Sequence, residues 1–325
     1  MKKVKIFQVD AFTKQAFGGN PAGVVPYAGG LSDEEMQAIA REMNCSETAF
    51  ILESEDPNAD FRIRFFTPAE EVDLCGHATI AACHVLVYQG RIMTDHALAQ
   101  QESMAPSNQE KASSQEIIIN QETKAGILPV HIHWDDDYVV DAIVMGQRLP
   151  VFLGTMEDKG TVAELMGLKA SDLELNGLPL QIVSTGLPDL MVPVKDLATL
   201  KAASPDFAKM ARYQKKHDFI SIHAFTFETE DPENQLSVRD FAPSVQIDEE
   251  AATGTANGAL GAYLVSNKAF GQAETPNPLI LKIEQGIGMG RPSQIMAEIS
   301  QQEGTVTKVL VGGTAVIVLE GQIFF

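Results

Sequence analysis

The chain has 325 residues, 45% of them hydrophobic, with a formal net charge of −20 at pH 7, which gives room for two domains of ordinary size, each with its own core. Such a charge repels phosphate backbones, and Lys and Arg are scattered rather than gathered into a basic stripe, so nucleic acid is not an expected partner. No apolar run approaches the roughly 18 residues needed to cross a bilayer, and Cys45, Cys75 and Cys83 fit neither a disulfide framework nor paired zinc spacing, so we expect a cytoplasmic globular protein with no membrane segment and no structural metal.

In chain order, Val4 to Phe12 alternates like a strand, and the turn signal Gly18 to Gly23 before Val24-Val25 predicts a β-hairpin. Ser32 with Glu35 is a capping box, and Met36, Ile39, Ala40 and Met43 repeat on one helical face that ends near Asn44. Cys45 to Leu52 then returns as a strand with Glu47 at its mouth. Phe61 to Pro68 is a second strand, followed by an acidic loop and an Ala-rich helix opened by Gly76. The segment 91–116 is polar with little periodicity and reads as a surface connection. Glu116 to Trp134 and Tyr138 to Gln147 read as strands joined at Asp135-Asp136-Asp137, and a lobe boundary is expected between residues 153 and 154. In the second lobe, Thr161 with Glu164 predicts the cap of a short helix. Leu180 to Val194 and Phe219 to Glu228 supply strands, and Pro205 to Lys216 a helix. The last β-branched run, Val309 to Leu319 around Gly312-Gly313, is expected to cross back to the first lobe.

Two stretches repeat one another. Arg64, Phe66 and Pro68 match Arg239, Phe241 and Pro243 at identical spacing, and after an acidic loop Gly76 matches Gly254 at the head of an apolar run. This self-similarity points to a duplication, and two distant copies favour a pair of similar lobes over a solenoid. Each helix start leaves backbone N–H groups without partners, and glycine admits a ligand close to them. Two such starts facing each other across a cleft would grip a carboxylate.

Among residues that carry chemistry, Glu47 is a carboxylate between a helix end and an apolar strand, flanked by Ser46 and Thr48 that can hydrogen-bond it. Partial burial there would raise its pKa and suit it to general acid–base work. His77 follows Gly76 directly, in reach of any anion at the helix start, and Thr255 holds the equivalent place in the second copy. Glu249 reads as a structural acid near the second helix start. Cys75 is a thiol at a helix start, but Thr253 stands in its place in the second copy, which disfavours a two-thiol racemase. Gly286-Ile287-Gly288-Met289-Gly290 lacks the following helix of a dinucleotide fingerprint. His131 and His133 share a strand face with no third ligand near in sequence and read as structural.

Taken together, Phe7 to Phe12 with Gly19-Asn20-Pro21-Ala22, Ser46 to Phe50, Arg64 to Pro68, Cys75-Gly76-His77-Ala78-Thr79, Ala252 to Asn257, Glu284-Gln285-Gly286 and Met289 to Ser293 resemble the phenazine biosynthesis PhzF-like family. That family has the diaminopimelate epimerase-like fold, and the resemblance covers nearly the whole chain. It implies an α+β protein of two pseudo-symmetric lobes, 1–153 and 154–325, each a curved, barrel-like mixed sheet around a central helix, assembled as a homodimer. It further implies an isomerase that needs no cofactor or metal, in which Glu47 moves a proton between carbons of a small carboxylate-bearing metabolite while His77 sits in the same site. The family pattern Asp-Pro-Ala-Thr-Gly-Ser is here Glu250-Ala251-Ala252-Thr253-Gly254-Thr255, which keeps a carboxylate and a hydroxyl but changes the cavity's shape. The candidate set is therefore Glu47, His77 and Glu250 for catalysis, with Asn20, Cys75, Gly76, Gly254 and Thr255 for substrate binding. The alternatives are an epimerase or racemase, with Glu47 opposite Glu250 or Cys75, and a metabolite-binding protein without catalysis.

Overall fold

The computed structural model describes residues 2–92, 116–135, 137, 139–270 and 276–325. Two units emerge, Met1–Met145 with Gly312–Phe325, and Gly146–Val311. Residues 93–115 of the expected surface connection, and Asp136 of the expected acidic turn, lie outside the described residues.

The first unit begins with β1 (Lys3–Ala11), which pairs antiparallel with β2 (Asn20–Val25) in the expected hairpin. Helix α1 (Asp33–Met43) starts with a complete capping box: Ser32 Oγ accepts from the Glu35 N–H at 3.3 Å and Glu35 accepts from the Ser32 N–H at 2.9 Å. Such a cap contributes about 1 kcal/mol. Asn44 ends the helix in the left-handed region at φ 52°, and Met36, Ile39 and Ala40 are buried with Val4, Ile6, Val25, Phe50 and Phe66. The strands β3 (Glu47–Leu52), β4 (Phe61–Phe66) and β5 (Glu71–Val72) lead to helix α2 (Gly76–Tyr88), which is apolar on nearly every side and buried over most of its length. A helix apolar all round must be enclosed, and α2 packs on β1, β2, β3 and the C-terminal strand Ala315–Phe324. The run from Glu116 to Trp134 is two strands, β6 (Glu116–Thr123) and β7 (Gly126–Trp134), because the chain reverses at Lys124-Ala125 with Gly126 at φ 113°. β8 (Val140–Gly146) completes this sheet.

In the second unit come β9 (Val151–Met156), α3 (Lys159–Leu165), β10 (Leu180–Ser184), β11 (Pro188–Pro193), α4 (Leu197–Ala202), α5 (Phe207–Lys216), β12 (Ser221–Thr226), β13 (Leu236–Ala242) and β14 (Ile247–Glu250). They are followed by α6 (Gly254–Ser266), β15 (Leu279–Gln285), β16 (Ser293–Gln302) and β17 (Thr305–Gly313). The cap of α3 is Asp158, not Thr161: the Asp158 carboxylate accepts the Thr161 N–H at 3.0 Å, as an acidic side chain three residues earlier can. The C-terminal β-branched run is likewise two strands, parted at Thr314, and the second of them pairs antiparallel with β1. Helix α6, like α2, is buried over most of its length. Gly261 is required there, since an added Cβ would come within 2.7 Å of Ile299 Cδ1 on β16.

The duplication extends to the whole topology. In the first unit β1–β2 is antiparallel, β2–β3 parallel, β3–β4 antiparallel, β4–β6 parallel and β6–β7 antiparallel. In the second, β10–β11, β11–β12, β12–β13, β13–β15 and β15–β16 repeat that series of directions. The protein is thus mixed α+β, each unit a mixed sheet with one central helix. The repeated arginines do the same work in both units. Arg64 grips Glu71 through two bonds of 2.7 and 2.9 Å, and Arg239 grips Glu249 through two of 2.8 Å, so each ties its strand to the acidic loop before the central helix.

The Arg64 hydrogen bond, against a smaller cost of burial, and the Lys124 ammonium at 2.8 Å hold Glu71 down at about 2, from an ordinary 4.5. A depressed carboxylate stabilises fully above its unfolded value and loses that contribution as pH falls through its folded one. Glu71→Gln should therefore cost about 1–2 kcal/mol at neutral pH, after discounting for screening at its solvent-facing rim. In urea titrations the gap to wild type should narrow between pH 4.5 and 2; a constant gap would mean the pair contributes through packing alone.

Candidate functional site

Glu47 is the first residue of β3, held in parallel register with Ala22 of β2, and Cys75 is the N-cap of α2. Two residues later His77 closes on both. Its Nδ1 lies 3.3 Å from Cys75 Sγ, and its Nε2 lies 3.2 Å from Glu47 Oε2 and 3.1 Å from Ser46 Oγ. All three side chains are largely buried, with Glu47 20% and His77 10% exposed. Glu47 Oε2 is fully buried, and its neighbour is the His77 ring in an ion pair at 3.2 Å, with no further hydrogen-bond partner among the described residues.

Burial alone would raise Glu47, as expected from its position. The close contact with the His77 imidazolium, with smaller help from Ser46 and Cys75, outweighs that and places it below the usual carboxylate range. Burial likewise works against the His77 imidazolium, but Cys75 and Glu47 together hold it well above its ordinary value. Since burial pushes the Cys75 thiol up despite the nearby imidazole, the thiol is not activated, and the negative partner of His77 at neutral pH is Glu47. Thr48 does not contribute, because alternate strand residues face opposite ways. Its hydroxyl packs under Gly23 instead, where an added Cβ would meet Thr48 Oγ at 2.6 Å.

The start of α2 is open. No side chain caps it, its first turn holds no acid, and an added Cβ on Gly76 would meet nothing within 4 Å. Free first-turn N–H groups with open space before them suit an anion. Asn20 is buried at the start of β2, two residues before the Glu47 register partner and on the same strand face. The structure thus brings Glu47, Cys75 and His77 together with Gly76.

Glu250, Gly254 and Thr255 belong to the second unit, where α6 also starts without a side-chain cap. Glu250 ends β14, half-buried, with its carbonyl accepting from Gln285 Nε2 at 2.9 Å. The Thr255 carbonyl accepts from the Thr185 hydroxyl at 2.9 Å. Thr253, which stands where Cys75 stands in the first copy, donates to Asp240 Oδ2 at 2.8 Å. Asn257 Nδ2 bonds both the Thr253 carbonyl and Gln285 Oε1 at 2.9 Å. Gly286, at φ 75°, lets its strand turn against this loop, since an added Cβ would fall 2.6 Å from the Ala251 carbonyl. That explains one of the glycines that mimic a dinucleotide fingerprint.

Behind Thr253 lies a buried polar network that sequence reasoning missed. Ser221 bonds Asp240 at 2.6 Å and Asp189 at 3.0 Å, and His223 reaches Asp240 at 3.0 Å and Asn257 at 3.3 Å. The signal was in the repeat: Asp240 occupies the place of Phe65, an acid where the other copy has a core aromatic. His131 and His133 do find a neighbour that sequence spacing hid, Glu116 of β6, at 2.6 and 3.8 Å.

Among the described residues no helix is long and apolar enough to cross a membrane. The model of the phenazine biosynthesis-like PhzC-PhzF family matches residues 9–321. An uncharacterized isomerase of Clostridium acetobutylicum is 36% identical, covering 99% of each chain, and the uncharacterized isomerase YddE of Escherichia coli K12 is 34% identical, covering 98% of each. A crystal structure of a PhzF-family phenazine biosynthesis protein from Bacillus anthracis superposes over 100% of both chains with a TM-score of 0.84 at 32% identity. With a family match over nearly its whole length and named isomerases among its relatives, this chain belongs to the phenazine biosynthesis-like PhzC-PhzF family, as an enzyme of isomerase type.

Proposed function

We propose that the protein moves a proton between carbons of a small carboxylate-bearing metabolite, without a cofactor, and that Glu47 is the acid–base group. The observation that carries this reading is the buried Oε2 of Glu47, ion-paired with His77 at 3.2 Å beside an uncapped helix start. In the resting site the imidazolium keeps Glu47 ionised and weakly basic. A substrate carboxylate drawn to His77 and the Gly76 amides would compete for that positive charge, leaving Glu47 a stronger base where a C–H bond must be broken. Glu47 then takes the proton from one carbon and returns it to another. Preorganised N–H donors at a developing oxyanion supply roughly 3–4 kcal/mol each.

Asn20 and Cys75 shape the pocket in this reading. Glu250, Gly254 and Thr255 are proposed as substrate-orienting residues on the strength of the duplication. The remaining parts of the reading, a cytoplasmic homodimer and a cyclic amino acid as substrate, follow from family resemblance.

The test is deuterium uptake from D₂O, followed by mass spectrometry across a panel of cyclic and acyclic amino and hydroxy carboxylates. Enzyme-dependent uptake at a carbon of one compound class is the expected result. Measurable binding of a compound with no C–H exchange in any would replace this reading with that of a metabolite-binding protein.

A further inference from the structure

Glu47, Cys75 and His77 are also a set of potential metal ligands. Their ligand atoms, a carboxylate oxygen, a thiol sulfur and an imidazole nitrogen, all lie within 4.8 Å of one another, the one such group of potential metal ligands among the described residues. A tetrahedral zinc ion with Zn–S near 2.3 Å and Zn–N and Zn–O near 2.0–2.2 Å sets its ligand atoms about 3.3–3.6 Å apart. Here His77 Nε2 is 3.2 Å from Glu47 Oε2 and 3.9 Å from Cys75 Sγ, and the Glu47 oxygen and Cys75 sulfur lie within 4.8 Å, so side-chain rotation, without movement of the backbone elements, is what has to close the three around one ion. The two ligands Cys75 and His77 are set by one turn of backbone at the head of α2, and the third by the edge of β3, so the cluster sits on regular elements. Apart from its ion pair with His77, Glu47 Oε2 is buried without a hydrogen-bond partner, so it has lone-pair capacity to spare for a cation.

We propose that Glu47, Cys75 and His77 form a three-ligand site for a borderline-soft divalent cation such as Zn²⁺. Thiolate and imidazole together select zinc or cobalt over magnesium and calcium, which take oxygen shells. Three protein ligands leave a fourth position open to water. A metal held there occupies the carboxylate to which proton transfer is assigned, so loading the site inhibits the enzyme; that consequence, though not the binding itself, rests on the proposed function.

The test begins with metal-free full-length protein titrated with Co²⁺, which reports thiolate ligation by a charge-transfer absorption band, and then with Zn²⁺ by calorimetry. One cobalt per chain, a thiolate band, and displacement by zinc are expected. Cys75→Ser should abolish the band, and His77→Gln should weaken zinc binding by on the order of 100-fold, at least what loss of an outer-shell partner does. Cys83→Ser, a buried thiol outside the cluster, should keep both. Circular dichroism of each variant separates lost ligation from lost folding. Absence of a thiolate band in folded wild type, its survival in Cys75→Ser, or loss of metal uptake in a His131→Gln/His133→Gln variant instead would overturn the site. If a substrate shows exchange, Zn²⁺ should suppress it in wild type; full exchange with zinc bound would overturn the inhibition while leaving the isomerase reading intact.

Discussion

Glu47→Gln is expected to reduce substrate C–H exchange by roughly 10²- to 10⁴-fold, the contribution typical of a positioned acid–base side chain, while the protein remains folded. Glutamine matches the volume of glutamate, so β3 and its parallel register with β2 lose no packing. What disappears is the carboxylate to which proton transfer is assigned in the proposed function. His77 also loses its counter-charge, so the substitution tests the pair as well as the carboxylate. The comparison that separates these is His77→Gln. If His77 binds and orients the substrate, that variant should raise KM more than it lowers kcat, whereas Glu47→Gln should lower kcat with KM little changed. Exchange at the wild-type rate in a folded Glu47→Gln protein would move the base elsewhere.

The largest effect on stability is expected from the second unit. Asp240→Leu leaves His223, Ser221 and Thr253 facing a missing acceptor in a core where Asp240 is 2% and His223 0% exposed. Breaking a buried polar pair on one side costs about 3–5 kcal/mol, which in a protein of this size lowers the melting temperature by roughly 4–7 °C. The first unit shows the apolar solution to the same problem. His223 pairs with Asp240 across β12 and β13 as Ala49 pairs with Phe65 across β3 and β4. The double variant His223→Ala/Asp240→Phe, which copies that pair, should therefore cost less than the sum of its singles, with a coupling of about 1–3 kcal/mol. Additive losses in thermal melts would show that the two side chains do not act together.

Asp189 adds a pH dependence to the same network. Burial, and after it the Asp240 charge, pushes Asp189 well above the usual carboxylate range, which favours its protonated form. The single Ser221 hydroxyl proton cannot serve both acids, so the consistent arrangement has Asp189 donating to Ser221 and Ser221 donating to Asp240. A raised carboxylate contributes fully below its unfolded value and loses its contribution as pH rises through the folded one. Asp189→Asn keeps a donor without that titration and should flatten the loss of stability on the alkaline side.

The sequence by itself determined the repeated unit. Arg64-Phe65-Phe66 against Arg239-Asp240-Phe241, each followed by an acidic loop and a glycine-led apolar run, was enough to expect two similar sheets around two buried helices, because strand alternation and an all-apolar helix are local patterns. The Ser32 capping box and the Asn44 stop were legible for the same reason. So were Glu47 at a strand mouth and His77 at a helix start, along with the family motifs that contain them. Tertiary structure alone decided which groups meet and what charge they carry. Glu47 is more than two dozen residues from His77 in the chain, so no spacing rule could show that the imidazole outweighs burial and lowers the carboxylate instead of raising it. Nor could sequence show that the Thr48 hydroxyl turns away beneath Gly23, or that Asp158 displaces Thr161 as a cap, since both depend on backbone angles. The Asp189–Ser221–Asp240–His223 network joins three separate strands. Its members are ordinary polar residues in the chain, and only burial turns them into partners that must satisfy one another.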